Sequence, residues 1–235
     1  MMLYFDFINP YIIYSAYVTI TIGLIVFIFR RPEGIKQYKK PLLTIVAILL
    51  IYTQTMRYLY PIFIGTFTWQ ESLPFYVCRI TSPVLLYYAI TRDKRVEGFL
   101  YFLGGTGIWG VFIPNGPIAN IGELTEYFFI DHLLLGLTSF YLIKVERYAP
   151  SYNTLVMFTF MFGVTLFLFM PLNLYLGTEY FHKRDLDIAR TIFPGVSYIT
   201  FGILLTIALF IFFNIYYFMA KKVIVSEQIK TAMEF

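Results

Sequence analysis

The sequence predicts an all-α protein, a polytopic bundle of about seven transmembrane helices. Two observations come from composition: 59% of the 235 residues are hydrophobic and only 14% are charged, whereas soluble proteins carry roughly a quarter charged residues. A third is that the charges fall in short clusters between long apolar stretches. A transmembrane barrel would show alternating segments of about ten residues instead. We therefore expect one multi-pass membrane domain, residues 1–235, in the cell membrane.

Apolar windows of about 20 residues, the length that crosses a bilayer, divide the chain into spans. The fourth window is short and glycine-rich, so six spans plus a re-entrant segment is the alternative. The first span is expected to be retained, because neither a basic region nor a small-residue cleavage site marks a signal peptide. The predicted spans are approximately 9–29, 41–63, 73–91, 98–114, 126–143, 154–175 and 194–219.

The distribution of Lys and Arg predicts the orientation of these spans. Thirteen of the eighteen lie in alternate connectors, 30–40, 91–97 and 144–148, and in the tail that begins at Lys221. Cytoplasmic loops carry such an excess, so we expect the N-terminus outside and the C-terminus in the cytoplasm. The net charge of +4 follows from these loops, and it gives no reason to expect nucleic-acid binding.

One glycine-rich stretch imitates a nucleotide-binding signature. "GTGIWG", residues 105–110, satisfies G-x-G-x-x-G, but a dinucleotide fold requires a preceding strand and a soluble βαβ unit. Here the stretch lies inside the fourth predicted span. Small residues let membrane helices approach closely, so the stretch predicts helix packing, and we expect no cofactor.

Polar residues inside the spans are the candidate functional residues. Intramembrane ionisable groups are costly and normally face a protein interior or a water-filled cavity. Because the spans alternate in direction, these residues are predicted to lie at a similar depth in the outer half of the membrane. The predicted pocket is lined by Arg57 in the second span, Cys78 and Arg79 in the third, Asp131 and His132 in the fifth, and Asn173 in the sixth.

Each of these residues also has a purely structural interpretation. Arg79 and Asp131 are one candidate buried ion pair, and Arg57 is a candidate to extend to the outer head groups. Cys78 alone is typical of a small buried hydrophobe. His132 alone is typical of a hydrogen-bonded helix-packing residue. Asn173 is a candidate to satisfy the backbone groups that Pro171 leaves without a partner.

The combination favours nucleophilic chemistry. Cys78 is the only cysteine, which excludes an internal disulfide. Its thiolate, the reactive form, is favoured near Arg or protonated His, and a nucleophile with a base in reach is the signature of covalent catalysis. Successive helical residues point about 100° apart, so Cys78 and Arg79 would line adjoining walls of the pocket.

Four segments resemble one family of integral membrane proteins. "LPFYVCRIT" resembles the LP-x-H-x-C element of the YwaF-like proteins, the group that includes mammalian transmembrane protein 164. "TRDKRVEGFLYFLGGTG" with "FIP", then "EYFFIDHLLLGL", then "NLYLGTEYF" match in the same order. The similarity covers roughly residues 70–182. The departures are Tyr76 in place of a histidine, Arg79 in place of a small or acidic residue, and Glu179 in place of an asparagine.

This resemblance implies a lipid acyltransferase with a membrane-embedded cysteine and histidine, which correspond to Cys78 and His132. A distant hydrolase group of similar architecture uses threonine and histidine on fatty-acid esters. The family's asparagine and tyrosine near the sixth span correspond to Asn173 and Tyr180, as substrate-binding residues. We expect no metal site.

Two classes of function stay open at this point. In the first, an enzyme, Cys78 attacks a phospholipid ester while Arg57 and Arg79 hold the phosphate and Asp131 lies beside the histidine. In the second, the same pocket binds or transports an anionic small molecule or lipid, with a partner membrane subunit. A structural or sensory protein, in which polar residues only hold the helices together, is the remaining alternative.

Overall fold

A computed structural model describes residues 10–68, 76–112, 126–178, 190–191 and 193–233. All regular structure in these ranges is helical, as predicted. A single 3-10 turn, Lys94–Val96, precedes the fifth α-helix. The helices are α1 Pro10–Arg30, α2 Pro32–Gln37, α3 Lys39–Phe63, α4 Val77–Thr91, α5 Glu97–Phe112, α6 Glu126–Lys144, α7 Tyr152–Leu176 and α8 Tyr198–Met233.

Four of these helices are long and apolar enough to cross a membrane. They contain the candidate spans Tyr11–Arg30, Lys39–Phe63, Tyr152–Asn173 and Tyr198–Ser226. The helix α4 is apolar but has 15 residues, and α5 and α6 have 16 and 19. Each predicted span coincides with a helix, and the last helix continues well beyond residue 219.

The chain divides into two compact units. The first comprises Met1–Tyr60 and Thr81–Tyr148, and the second comprises Pro61–Ile80 and Ala149–Phe235. Helices α3 and α4 therefore each contribute residues to both units. The expectation of one domain stays a prediction.

Glycines bring α5 and α6 into close contact in the first unit. A Cβ at Gly104 would lie 3.0 Å from the carbonyl oxygen of Leu135, and a Cβ at Gly107 would lie 3.0 Å from the amide nitrogen of Gly136. Side chains larger than hydrogen would push the two backbones apart. The prediction that the stretch 105–110 serves helix packing is confirmed.

Aromatic side chains join α1 to the same pair of helices. The rings of Tyr17 and Phe129 stack with their centroids 4.3 Å apart and their planes 7° apart. The hydroxyl of Tyr14 donates to the carbonyl oxygen of Phe112, at the last residue of α5, over 2.7 Å. Stacked rings add to the attraction that comes from their burial, so α1 is held against the first turn of α6 and the end of α5.

Helices α7 and α8 form the core of the second unit. A Cβ at Gly163 would lie 3.0 Å from the methyl carbon of Thr206, and a Cβ at Gly202 would lie 3.0 Å from the ring of Phe167. Helix α7 ends at Gly177, whose φ of 65° lies in the left-handed region that glycine adopts without strain. Small residues on both helices thus set their separation.

Two carboxylates of the first unit, those of Glu97 and Glu146, lie near each other in the connectors 91–97 and 144–148. Lys39 Nζ and Glu146 Oε1 are 2.6 Å apart, and the hydroxyl of Tyr88 donates to Glu97 Oε1 over 3.5 Å. Glu97, the last residue of the connector 91–97, is only 7% exposed. Burial raises the pKa of Glu97, and the negative charge of Glu146 raises it further.

We expect Glu97→Gln to make the protein more stable at neutral pH and to flatten its pH dependence. The folded state binds a proton at Glu97 more tightly than the unfolded chain does. The stability that this proton contributes is therefore complete below the ordinary pKa of 4.5 and is lost as pH rises through the raised pKa. Thermal unfolding in detergent across this range measures the slope.

Asp93→Asn is the matched control, because hydrogen bonds from Arg95 lower the pKa of Asp93. The ionised carboxylate of Asp93 stabilises the fold above its ordinary pKa, and this contribution is lost on acidification. Asp93→Asn should therefore remove a pH dependence of stability whose sign is opposite to that of Glu97. Equal slopes for the wild type and Glu97→Gln would contradict the assignment to Glu97.

Candidate functional site

A buried network joins three helices of the first unit around Asp131. Arg57 on α3 places Nη2 2.8 Å from Asp131 Oδ2. Gln54, one turn earlier on α3, donates to Asp131 Oδ1 over 3.1 Å. Ser82 on α4 donates to the same oxygen over 2.7 Å. The carboxylate thus accepts hydrogen bonds on both oxygens.

Because Asp131 and Arg57 are buried, their charges need each other as partners. Asp131 is 0% exposed and Arg57 is 8% exposed. A carboxylate removed from water costs several kcal/mol unless a counter-ion and hydrogen bonds replace the solvent. Gln54 and Arg57 are three residues apart and share a helix face, so α3 presents both to α6.

The network differs from the sequence-based expectations in three ways. The counter-ion of Asp131 is Arg57, whereas the sequence suggested Arg79. The expectation that Arg57 extends to the head groups is wrong, because its side chain is buried and paired. Gln54 and Ser82 were not predicted at all. Their signal was weak, since neither is charged, although Gln54 lies one turn from the intramembrane Arg57.

His132, the neighbour of Asp131 on α6, has different contacts. Its Nδ1 lies 2.8 Å from the carbonyl oxygen of Phe128, and its ring lies against that of Phe128 with a centroid distance of 4.0 Å. A carbonyl oxygen only accepts, so Nδ1 carries the proton and Nε2 is the basic nitrogen of the neutral ring. Asp131 and His132 therefore diverge, as successive helical residues must.

Cys78 and Arg79 belong to the second unit and lie in the first turn of helix α4. Cys78 is a reduced, half-buried thiol. The guanidinium carbon of Arg79 lies 4.5 Å from the ring centroid of Tyr76, within the range of a cation–π interaction. Tyr76 and Arg79 are two of the three departures from the family pattern, and they contact each other.

Asn173, also in the second unit, helps to end helix α7. Thr178 donates from Oγ1 to Asn173 Oδ1 over 2.8 Å and from its amide to the Asn173 carbonyl oxygen over 3.0 Å. Both side chains are buried. The N-x-x-x-G-T pattern thus has a structural role, and Thr178 is a member that the sequence reasoning overlooked. Tyr180 and Glu179 lie outside the described residues.

We expect Arg57→Ala or Asp131→Ala to lower the free energy of unfolding by roughly 3–5 kcal/mol, because either change leaves an uncompensated buried charge. Chemical unfolding of the protein in detergent measures the loss. Arg95→Ala is the control. Its side chain is 86% exposed beside Asp93, and removing such a pair should change stability very little. Equal effects at Arg57 and Arg95 would show that the buried pair is not structural.

The comparisons with known proteins identify the family of this chain. The TMEM164 family profile matches residues 7–217. No curated protein and no solved structure matches the chain. The profile spans most of the sequence and includes every helix of the first unit, together with much of the second. The chain is a membrane protein, and it belongs to the TMEM164 family.

Proposed function

We propose that this membrane protein is a lipid acyltransferase or lipid ester hydrolase in which Cys78 is the nucleophile and His132 the general base. The observation that carries the proposal is the hydrogen bond between His132 Nδ1 and the carbonyl oxygen of Phe128. A general base needs an unprotonated nitrogen at neutral pH. This bond directs the proton to Nδ1 and leaves Nε2 basic.

Cys78 and His132 lie on helices that share a hydrogen bond. Cys78 lies one helical turn before Ser82 on α4, and His132 directly follows Asp131 on α6. The hydrogen bond from Ser82 to Asp131 joins these two helices. This contact between α4 and α6 supports the choice of a base on α6 for a nucleophile on α4.

The proposed reaction has two steps. His132 Nε2 takes the thiol proton of Cys78, and the thiolate attacks an ester carbonyl of a phospholipid. The ester C–O bond breaks, an acyl-thioester forms on Cys78, and the departing lysolipid oxygen receives the proton from His132. In the second step His132 Nε2 takes the proton of a lysolipid hydroxyl or of water, and the oxygen attacks the thioester carbonyl. The C–S bond breaks, a phospholipid or a free fatty acid leaves, and the proton passes from His132 to the sulfur of Cys78.

Arg79 is the better of the two proposed phosphate-binding residues. Arg57 already places Nη2 on Asp131, which supports a structural role for it. The cation–π contact with Tyr76 holds the planar guanidinium of Arg79 by its face, and the edges of this group carry the donors that bind phosphate. We therefore assign the lipid phosphate to Arg79.

We expect acyl transfer to leave a chemical trace on Cys78. Purified wild type in nanodiscs, given a phospholipid with a fluorescent acyl chain, should carry a label that neutral hydroxylamine releases. Cys78→Ala should carry none, and His132→Ala should label about 10²–10⁴-fold more slowly, the usual contribution of a general base. Arg95→Ala, altered at an exposed side chain, is the matched control.

Labelling that persists in Cys78→Ala would exclude the thiol as nucleophile. Stoichiometric binding of the lipid without a thioester, unchanged by Cys78→Ser, would instead favour the binding or transport function.

We also propose seven spans with the N-terminus outside, supported by one helix at each predicted span. With Cys78→Ser as background, Gly34→Cys and Gly195→Cys are a matched pair, since neither new side chain has a neighbour within 4 Å. A membrane-impermeant maleimide should label residue 195 on intact cells and residue 34 only after permeabilisation. Six spans would place both positions on one side.

A further inference from the structure

Gly110, the last glycine of the stretch 105–110, lies against the imidazole ring of His132. A Cβ at Gly110 would lie 2.7 Å from Cγ and 2.8 Å from Nε2 of this ring, with Cδ2 closer still. Carbon atoms in van der Waals contact are about 3.5–4.0 Å apart. The imidazole therefore occupies the volume that any other residue at position 110 would fill.

The other glycines on this face of α5 have different neighbours. A Cβ at Gly104 would contact the backbone of Leu135 and, at 3.8 Å, the hydroxyl of Ser139. A Cβ at Gly107 would lie 2.7 Å from Leu135 Cβ. These two glycines make room for the helix α6 itself. Of the three, Gly110 is the one that makes room for a titratable side chain.

The ring of His132 is also held by Phe128, a residue of its own helix α6. The carbonyl oxygen of Phe128 holds Nδ1 at 2.8 Å, and the ring of Phe128 lies 4.0 Å away at 33°. The imidazole thus contacts the Phe128 ring and also lies against Gly110. Rotation away from Gly110 would lengthen or break the bond at Nδ1.

We propose that Gly110 is a positioning residue for His132. Its missing side chain lets the imidazole lie where Nδ1–H donates to Phe128 and where Nε2 is the basic nitrogen. The catalytic importance of this position rests on the proposed function, whereas the position and the tautomer do not. A methyl group at residue 110 would displace the ring, and the hydrogen bond to Phe128 would then no longer keep the proton on Nδ1.

Histidine NMR tests the proposal directly. The chain has two histidines, so His182→Gln leaves one signal in ¹⁵N-histidine-labelled protein in nanodiscs. Above the pKa of the ring, the Nδ1–H tautomer should dominate in this background. Gly110→Ala should shift the spectrum towards Nε2–H, whereas Gly104→Ala should leave it unchanged. The same spectrum for all three proteins would overturn the proposal.

A double-mutant cycle keeps the test valid if Gly110→Ala is poorly stable. Removal of the ring by His132→Ala opens the volume that the new methyl group needs. We therefore expect the thermal midpoint of Gly110→Ala to recover when His132→Ala is added, and the pair Gly104→Ala with His132→Ala to be additive. Additive losses at Gly110 and His132 would mean that residue 110 does not act through the ring.

Activity then separates this proposal from the proposed function. Gly110→Ala should slow acylation of Cys78 on the order of 100-fold, the cost of displacing a catalytic group by about 1 Å. Gly104→Ala should slow it less, because its methyl group would meet the backbone of Leu135 and not the ring. If the NMR spectra are as expected but the wild type is not acylated, Gly110 positions His132 and the proposed catalytic function is wrong. Acylation at the wild-type rate in Gly110→Ala would overturn the role assigned to Gly110.

Discussion

The first unit depends on one buried carboxylate. Asp131 has no exposed surface, and its two oxygens accept hydrogen bonds from side chains on α3 and α4. In a membrane the alternative to this network is a charge in hydrocarbon, so its geometry selects one rotation of each helix about its axis. Helices made only of Leu, Ile and Phe lack such a preference, because lipid tails are as apolar as they are.

The glycine face of α5 complements that constraint. Charge pairing fixes how α6 is rotated, and the glycines fix how closely α5 approaches it. His132 lies where the two effects meet, directly after the paired carboxylate and against a glycine. The same helix thus presents a fully neutralised charge to one neighbour and a basic ring nitrogen to another. One turn of α6 serves both stability and the proposed chemistry.

The helices were predictable from the sequence, but the pairing inside them was not. Apolar length determines which segments can span a bilayer, and each predicted span contains a helix. Depth along a span is also readable, which is why Arg57 and Asp131 were placed in one layer. Which charges meet depends on helix rotation, and this is why Arg79 was suggested as the partner. The last prediction stopped near residue 219 because it followed hydropathy, whereas α8 continues through a mixed segment that begins with Lys221 and Lys222.

The length of α8 has a mechanical consequence. Its 36 residues extend about 54 Å at 1.5 Å per residue, well beyond the hydrocarbon thickness of about 30 Å. The residues beyond the candidate span continue the same helix as Thr206, which packs against Gly163. Because no proline interrupts the described helix Tyr198–Met233, a displacement of its C-terminal turns would tilt or shift the whole helix.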